Sequence, residues 1–508
     1  MAKRLKLSPL VDKTVAILKE ISADTDSIYL VGGAVRDAFL GITSRDLDFV
    51  LEKDTLGTAR KVANALGGAY YTMDEDFEVG RVVLVDQAGA RQVMDFASLQ
   101  GETLEQDLQN RDFTVNAIAV ALNDLTTVID PLGGVDDLLK KRLRACSPKS
   151  LLNDPVRVLR AVRMSSSYKL AILPETQALV GPAVELIGQV SAERLRDEFL
   201  KVLDAPKPDT NLRVLDLFGV LEKIIPEVTD MKGVTQSAPH IYDVWEHALH
   251  TVQEMDRVLQ LLDEGYVHDN ELGGDLFSGL VSQQLGRFRK QISAHLSTDL
   301  VPDRPYRPIL FLAALCHDFT KPRHRSVEES GRIRFIGHES SGAEQISERG
   351  NALRLSRAEI QRLSRILQGH MRPWQLAKEA NPPTRKAVYR FWRDNGPAGV
   401  DIVLVALADL RGIYGYTLPQ EVLQRHLNVD RLLLETYWES PEQIDPNVFL
   451  DGNQIMAMFD LQPGPQIGEL LEALREAQAI GEVQSQDQAV RFISEALAEA
   501  KTDNPDGN

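Results

Sequence analysis

Cysteine is nearly absent, with Cys146 and Cys316 the two in 508 residues. They stand far apart and unlike any Cys-rich zinc pattern, which excludes a disulfide framework and makes a reducing cytosol the natural compartment. A cytoplasmic protein is expected. No apolar run approaches membrane-spanning length, so a membrane is not among the expected partners. The start, MAKRLKLSPLVDKTVAILKE, has basic residues but neither an uninterrupted apolar core nor a small-residue cleavage site, and is no convincing signal peptide. Positive charge is in deficit too: 57 Lys and Arg stand against 74 Asp and Glu, a net charge of −17. Nucleic-acid coating depends on Lys and Arg neutralising phosphates, so any RNA contact must be local. What remains is an ordinary soluble composition, 26% charged and 43% hydrophobic, long enough for several domains.

The chain is organised around YLVGGAVRDAFLGITSRDLDFVLE, residues 29 to 52. A short apolar strand runs into Gly32-Gly33, where missing side chains let backbone N–H groups approach a phosphate. The following helix adds free N–H donors and a positive dipole end, with Arg36 one turn in and able to reach the same anion. In RDLDFVLE, alternation places Asp46 and Asp48 on one strand face and Leu47, Phe49 and Leu51 on the other. Two carboxylates so spaced repel unless a cation sits between them, and Mg²⁺ suits a few carboxylates plus substrate phosphates. RVVLVD and RQVMDF read as a hairpin around QAGA. Its second strand carries Asp95, placed either as a third carboxylate on the same face or as a surface strand Asp; the pattern leaves both open. GGAVRD followed by RDLD resembles the signature of the DNA-polymerase-β-like nucleotidyltransferases, in the branch holding bacterial tRNA CCA-adding enzymes and poly(A) polymerases.

Further motifs extend that resemblance. NRDFTVNAIAV, residues 110 to 120, starts polar and turns into an apolar helical run. It is similar to the family's RRDFT-x-NA motif, with Asn110 replacing the first Arg and Arg111 retained, which implies that Arg111 helps hold the nucleotide. LNDPVRVLRAVRM, residues 152 to 164, reads as a helix with one apolar face and one cationic face bearing Arg157, Arg160 and Arg163. Periodicity alone favours solvated arginines there. The stretch resembles the family's EDxxR motif with Asn153 in place of Glu, which implies that Asp154 and Arg157 hydrogen-bond the incoming base, beside Arg160. Basic residues dominate from Lys140 to Lys169, a local footprint for RNA.

A second site is expected mid-chain. His247 lies in HIYDVWEHALHTV, His317-Asp318 in LFLAALCHDFTKP, then His338, His370 and Asp409 follow. Divalent metals accept imidazole with carboxylate, and a shared Asp can bridge two ions. The order resembles the HD phosphohydrolase superfamily, with Thr320 replacing the usual Gly of HDxGKP and expected to stiffen or narrow the turn. A metal-free helical scaffold is the alternative. Tyr389, Phe391 and Trp392 suit either an RNA-stacking surface or a core. PGPQIG and the Leu-rich helix after it resemble the C-terminal segment of bacterial CCA-adding enzymes, and KTDNPDGN reads as a polar tail.

The resemblance implies an α/β nucleotidyltransferase head over 1-140, followed by all-α parts: a helical neck and body over 141-235, an HD domain over 236-420 and a tail over 421-508. Asp46 and Asp48 would hold Mg²⁺, with Gly32, Gly33, Arg36 and Arg111 on the triphosphate of CTP or ATP and the 3′ end of tRNA as acceptor. A divalent transition metal is expected at the second site. Rivals are poly(A) tailing, a phosphohydrolase whose head only delivers RNA, and an inactive RNA-binding regulator. FASLQGETLEQDLQN alone joins Asp95 to Arg111, where full CCA-adding members carry a longer, flexible segment. Members adding only CC are short here, so CC addition alone is the alternative to the expected template-independent addition of complete CCA.

Overall fold

Alternating polarity in DLDFVL builds the centre of the first part of the chain. The computed structural model describes residues 9–21, 27–44, 46–75, 78–85, 91–266, 274–302, 304–379 and 381–502. These divide into two compact units, residues 1–206 with 214–223 and residues 207–213 with 224–508.

In the first unit, strands β1 (Ile28–Val31), β2 (Asp46–Leu51), β3 (Ala69–Asp74), β4 (Val79–Val85), β5 (Arg91–Ser98), β6 (Ala119–Ala121) and β7 (Asp124–Ile129) form one sheet. Its strand order is β3-β4-β5-β2-β1-β6-β7. Leu47, Phe49 and Leu51 of β2 join Met94 and Phe96 of β5 in a core with helices α1 (Pro9–Ile21), α2 (Gly33–Leu40) and α3 (Thr55–Leu66). The Phe49 and Phe96 rings stack with centroids 5.0 Å apart. Burying one such ring contributes roughly 2–3 kcal/mol, which fixes the register of β2 on β5 and hence what faces the other way. On that other face, Val50 packs with Val31, Leu108, Ala117 and Ala119, where α4 (Leu104–Asn110) covers the sheet.

One expectation needs correction. The apolar end of NRDFTVNAIAV is not helical: a 3₁₀ turn over Thr114–Asn116 leads into β6, which pairs with β1. A short, fully buried apolar run has no polar face to reveal its period, so strand and helix look alike in sequence. The hairpin of β4 and β5 forms in the expected antiparallel register, Val85 opposite Arg91, but the QAGA turn lies outside the described residues.

Of the helices that follow, α5 (Arg157–Tyr168) and α6 (Ala192–Asp204) complete the first unit's site. The second unit uses α7 (Val244–Leu261), α8 (Arg307–Cys316), α9 (His338–Ala352), α10 (Arg357–Gly369), α11 (Arg372–Lys378) and α12 (Ala398–Tyr414). A small hairpin of β8 (Ser326–Val327) and β9 (Ile333–Arg334) stands between α8 and α9. Tyr389, Phe391 and Trp392 are buried, so they are core and not a stacking surface. The last three helices, α13 (Gly452–Phe459), α14 (Pro465–Ala479) and α15 (Gln486–Thr502), share a separate apolar cluster. The polar tail beyond residue 502 lies outside the described residues. No described helix is long and apolar enough to cross a membrane.

Candidate active sites

Asp48 and Asp95 stand directly opposite each other because β2 and β5 pair in parallel, and Asp46 lies two residues along the same face. Burial first, then the neighbouring Asp95 and Asp46, lifts the Asp48 carboxyl above its ordinary range, while Arg111 and Arg160 oppose the rise. Asp46 is raised as well, by burial and then by Asp95. Carboxylates crowded in this way favour a cation between them. Asp95 faces the shared surface and is gripped at two points by Arg81, Nε to Oδ1 at 2.8 Å and Nη2 to Oδ2 at 2.8 Å. Arg81 was not among the expected site residues; its place opposite Asp95 on β4 is set by strand pairing.

Gly32 closes one side of this surface. Its φ of 73° and ψ of −133° favour glycine, and an added Cβ would sit 3.3 Å from both Asp48 Oδ2 and Arg111 Nη1. Arg111 itself is steadied by Asp107, Nε to Oδ2 at 3.1 Å. The Gly32 amide is not available as expected, because it donates to the Ile118 carbonyl at 3.2 Å. The anion-facing amides are therefore those opening α2, from Gly33 onward, which lack intrahelical partners.

Arg36 departs from its expected role as an anion ligand. Its guanidinium is buried and donates to Asp37, to Asn116, to Met164 Sδ at 3.7 Å and to Tyr168, so each of its five N–H groups has a protein partner. It ties α2 to the 3₁₀ turn and to α5. Arg160 pairs with buried Asp112, Nε to Oδ2 at 2.7 Å, and Arg163 pairs with Glu198, so the cationic face of α5 is largely matched by acids within the unit. Lys140 and Arg144 are likewise paired, with Asp136 and Asp137, which reduces the basic footprint read from sequence.

Arg157 departs too. Its Nη1 donates to the carbonyls of Arg111 at 3.1 Å and Ser150 at 3.0 Å, and its Nη2 to that of Asn110 at 3.0 Å. The α4 end leaves the Asn110 and Arg111 carbonyls without helical partners, and Arg157 donates to both. Only its Nε approaches Asp154, at 3.8 Å. The close partner of Asp154 is Arg194 in the first turn of α6, Nη2 to Oδ2 at 2.7 Å, with the Arg194 side chain 57% exposed. Asp154 Oδ1 is buried without a hydrogen-bond partner. Sequence reading missed Arg194, which lies forty positions from Asp154 and on another helix.

The second unit gathers all six expected metal ligands. His247 (α7), His317 (after α8) and Asp409 (α12) form one group, and Asp318, His338 (opening α9) and His370 (after α10) another. Asp318 links them. Its Oδ2 lies 3.1 Å from His317 Nε2 and 3.4 Å from His247 Nε2, and its Oδ1 lies 3.1 Å from His338 Nε2 and 3.8 Å from His370 Nε2. The Nδ1 atoms of His317, His338 and His370 sit 2.8, 2.7 and 2.6 Å from the carbonyls of Ala314, Phe335 and Leu367. Donating there fixes the tautomer and presents each Nε2 lone pair to the centre. Asp318 Oδ1, His338 Nε2, His370 Nε2 and Asp409 Oδ1 are buried with no hydrogen-bond partner, which is what a divalent ion would satisfy. These residues therefore fit a bound metal pair.

Burial and the two carboxylates set the imidazoles apart. Against the lowering effect of burial, Asp318 and then Asp409 lift the His317 imidazole to about 10, while burial drives His370 down to about 3. Two residues outside the expected set complete the surroundings. Lys321 Nζ lies 2.5 Å from Asp318 Oδ2, and His240, pushed down to about 3 by burial and then by Lys321, stacks edge-on to His247. The Thr320 hydroxyl donates to the His338 carbonyl at 2.8 Å, which ties this turn to the start of α9.

Comparison with known proteins finds three family models along the chain. Residues 28–144 match the poly A polymerase head domain, residues 169–232 the probable RNA and SrmB-binding site of polymerase A, and residues 291–409 the HD domain. An A-adding tRNA nucleotidyltransferase of Deinococcus radiodurans is 32% identical over 91% of this chain and 94% of its own. A CC-adding tRNA nucleotidyltransferase of Geobacter sulfurreducens is 29% identical over 92% of this chain and 91% of its own. The structure of a CCA-adding enzyme with ATP superposes with a TM-score of 0.59 at 20% identity, covering 96% of this chain and 95% of that one, a likeness of fold. The chain belongs to the tRNA nucleotidyltransferase family, with a poly(A)-polymerase-type head and an HD domain.

Proposed function

We propose that the first unit transfers a nucleotide from CTP or ATP to the 3′ end of tRNA without a nucleic-acid template, in the cytoplasm. The observation that carries this is the face shared by Asp46, Asp48 and in-register Asp95, flanked by Gly32 and Arg111. Mg²⁺ held by Asp46 and Asp48 supplies neutralisation of charge on the reacting phosphate. The amides opening α2 and the guanidinium of Arg111 receive the triphosphate, and Arg81 keeps Asp95 turned toward the same surface. The 3′-hydroxyl oxygen bonds to the α-phosphorus as the bond to pyrophosphate breaks. Arg36 and Arg157 position these groups, and Arg160 does so through Asp112. The chain divides as head 1-140, neck and body 141-235, HD domain 236-420 and tail 421-508.

Base choice rests on Asp154 with Arg194. Cytosine and adenine both offer an exocyclic amine beside a ring nitrogen acceptor, so a carboxylate acceptor next to a guanidinium donor fits both. Uracil and guanine present the reverse. The unpartnered Oδ1 of Asp154 and the exposed Arg194 give that pairing, whereas the terminal N–H groups of Arg157 are spent on carbonyls. Arg194→Ala should lower discrimination of CTP and ATP against UTP and GTP by roughly tenfold or more, read as kcat/KM ratios. Unchanged ratios would return the role to Arg157.

The extent of addition follows from a specific feature. Only residues 99–103 lie outside regular structure between β5 and α4, and they are tied down by Gln100 N donating to Asp107 Oδ1 at 3.0 Å and Asn110 Nδ2 donating to the Gln100 carbonyl at 3.1 Å. A connector so short and pinned favours one fixed specificity over a switch from C to A, and the two relatives described above carry names of partial adders. The test is product length on tRNA lacking CCA and on tRNA ending in CC, with each labelled nucleotide alone and together. Addition should stop at CC on the first, or occur only as A on the second. Efficient completion from none to CCA refutes partial addition, and no incorporation on either refutes the transferase reading.

The second unit supports an accessory phosphohydrolase, with a divalent transition-metal pair held by His247, His317, Asp409, Asp318, His338 and His370. Asp318 between both ligand groups is the observation that favours it.

A further inference from the structure

The candidate metal ligands of the second unit border a cavity of about 240 Å³ that cationic side chains also line. Asp318, His338 and Asp409 line it, and so do Arg332, Arg334 and Lys378. Arg332 and Arg334 come from the β8–β9 hairpin, and Lys378 ends α11. The hairpin is anchored where it meets the cavity, since the Ile333 amide donates to Ser237 Oγ at 2.7 Å and Ser237 lines the same space. Compensation is thin. Arg334 pairs with Glu328 through Nε at 2.8 Å, while Lys378 Nζ rests over the Trp374 ring, 3.3 Å from its centroid. Burial first, then Arg332 and Arg334, pushes the Lys378 ammonium below its ordinary range, as like charges gathered together do. Glu339 is the one lining carboxylate beyond the ligands Asp318 and Asp409.

A binuclear centre needs one phosphate, and these cations have no part in holding the metals. We propose that Arg332, Arg334 and Lys378 form a second anion subsite, so that the phosphohydrolase substrate is an organic bisphosphate of which one phosphate is removed. This rests on the phosphohydrolase reading for the reaction but not for the subsite. In the reaction, a water oxygen bonds to phosphorus as the ester bond breaks, and the ester oxygen leaves with a proton as the alcohol, releasing inorganic phosphate. The second phosphate stays on the cationic wall. Two or three charge-assisted contacts there should tighten binding about tenfold or more.

The experiment uses the full-length protein with Mn²⁺ and calorimetric titration of propyl phosphate, propanediol bisphosphate and hexanediol bisphosphate, followed by phosphate release. At least one bisphosphate should bind about tenfold more tightly than propyl phosphate. That advantage should vanish in the Arg332→Ala/Lys378→Ala double variant, whose positions are exposed, while propyl phosphate binding is unchanged. No advantage at either length, or one that survives in the double variant, overturns the proposal. Manganese-independent binding of propyl phosphate overturns instead the metal-centre reading, and the loss of bisphosphate affinity in the double variant still reports on the subsite.

Discussion

Asp48→Asn is expected to reduce nucleotide incorporation by roughly a thousandfold or more while leaving tRNA affinity and thermal stability intact. The asymmetry follows from the site's own electrostatics. Asp48 is held on the sheet by neighbours that resist its charge, burial and then Asp95 among them, so a neutral amide of the same shape relieves repulsion in the metal-free protein. Its loss is felt only when Mg²⁺ and a nucleotide must be held together. Asp46→Asn should behave alike, since it shares the face and the raised carboxyl. Single-turnover incorporation with saturating nucleotide, beside a melting curve, separates the two effects. Incorporation within about tenfold of the parent in both variants would remove the carboxylate pair from the mechanism.

Asp318→Asn should empty the second unit of metal and destabilise it. One oxygen of Asp318 faces His317 and His247 and the other faces His338 and His370, so this single carboxylate serves both groups. An amide offers one acceptor and places an NH₂ against lone pairs of the other imidazoles. Elemental analysis should therefore fall from two ions per chain toward none, more steeply than for His370→Gln. Without metal the carboxylate also neutralises Lys321 at 2.5 Å and the His317 imidazole, all of them buried. Removing one partner from such a cluster costs on the order of 3 kcal/mol. The metal-free variant should melt well below the metal-free parent, and incorporation by the first unit should persist. A variant that keeps both ions would show that the groups do not share Asp318.

Some of this was legible in residue order because it depends on neighbours only. Alternation in DLDFVL sets Asp46 and Asp48 against Leu47, Phe49 and Leu51, since strand geometry turns successive side chains to opposite faces. The six His and Asp residues of the second site could be named because few other roles suit so many imidazoles beside carboxylates in one helical region. Pairing across the fold decided the rest. β4 beside β5 is what hands Asp95 to Arg81, and the register of two strands is not written in either one. An arginine's spacing on α5 shows which way it leaves the helix but not which acceptor it meets. On α2, Arg36 met Asp37, Asn116 and Tyr168 in the same way, and on α5 Arg157 met the carbonyls of Asn110, Arg111 and Ser150, leaving Asp154 to Arg194 from another helix. The end of the run NAIAV entered a strand, Ala119–Ala121, that pairs with β1, and burial on every side erases the polar face that would have declared its period.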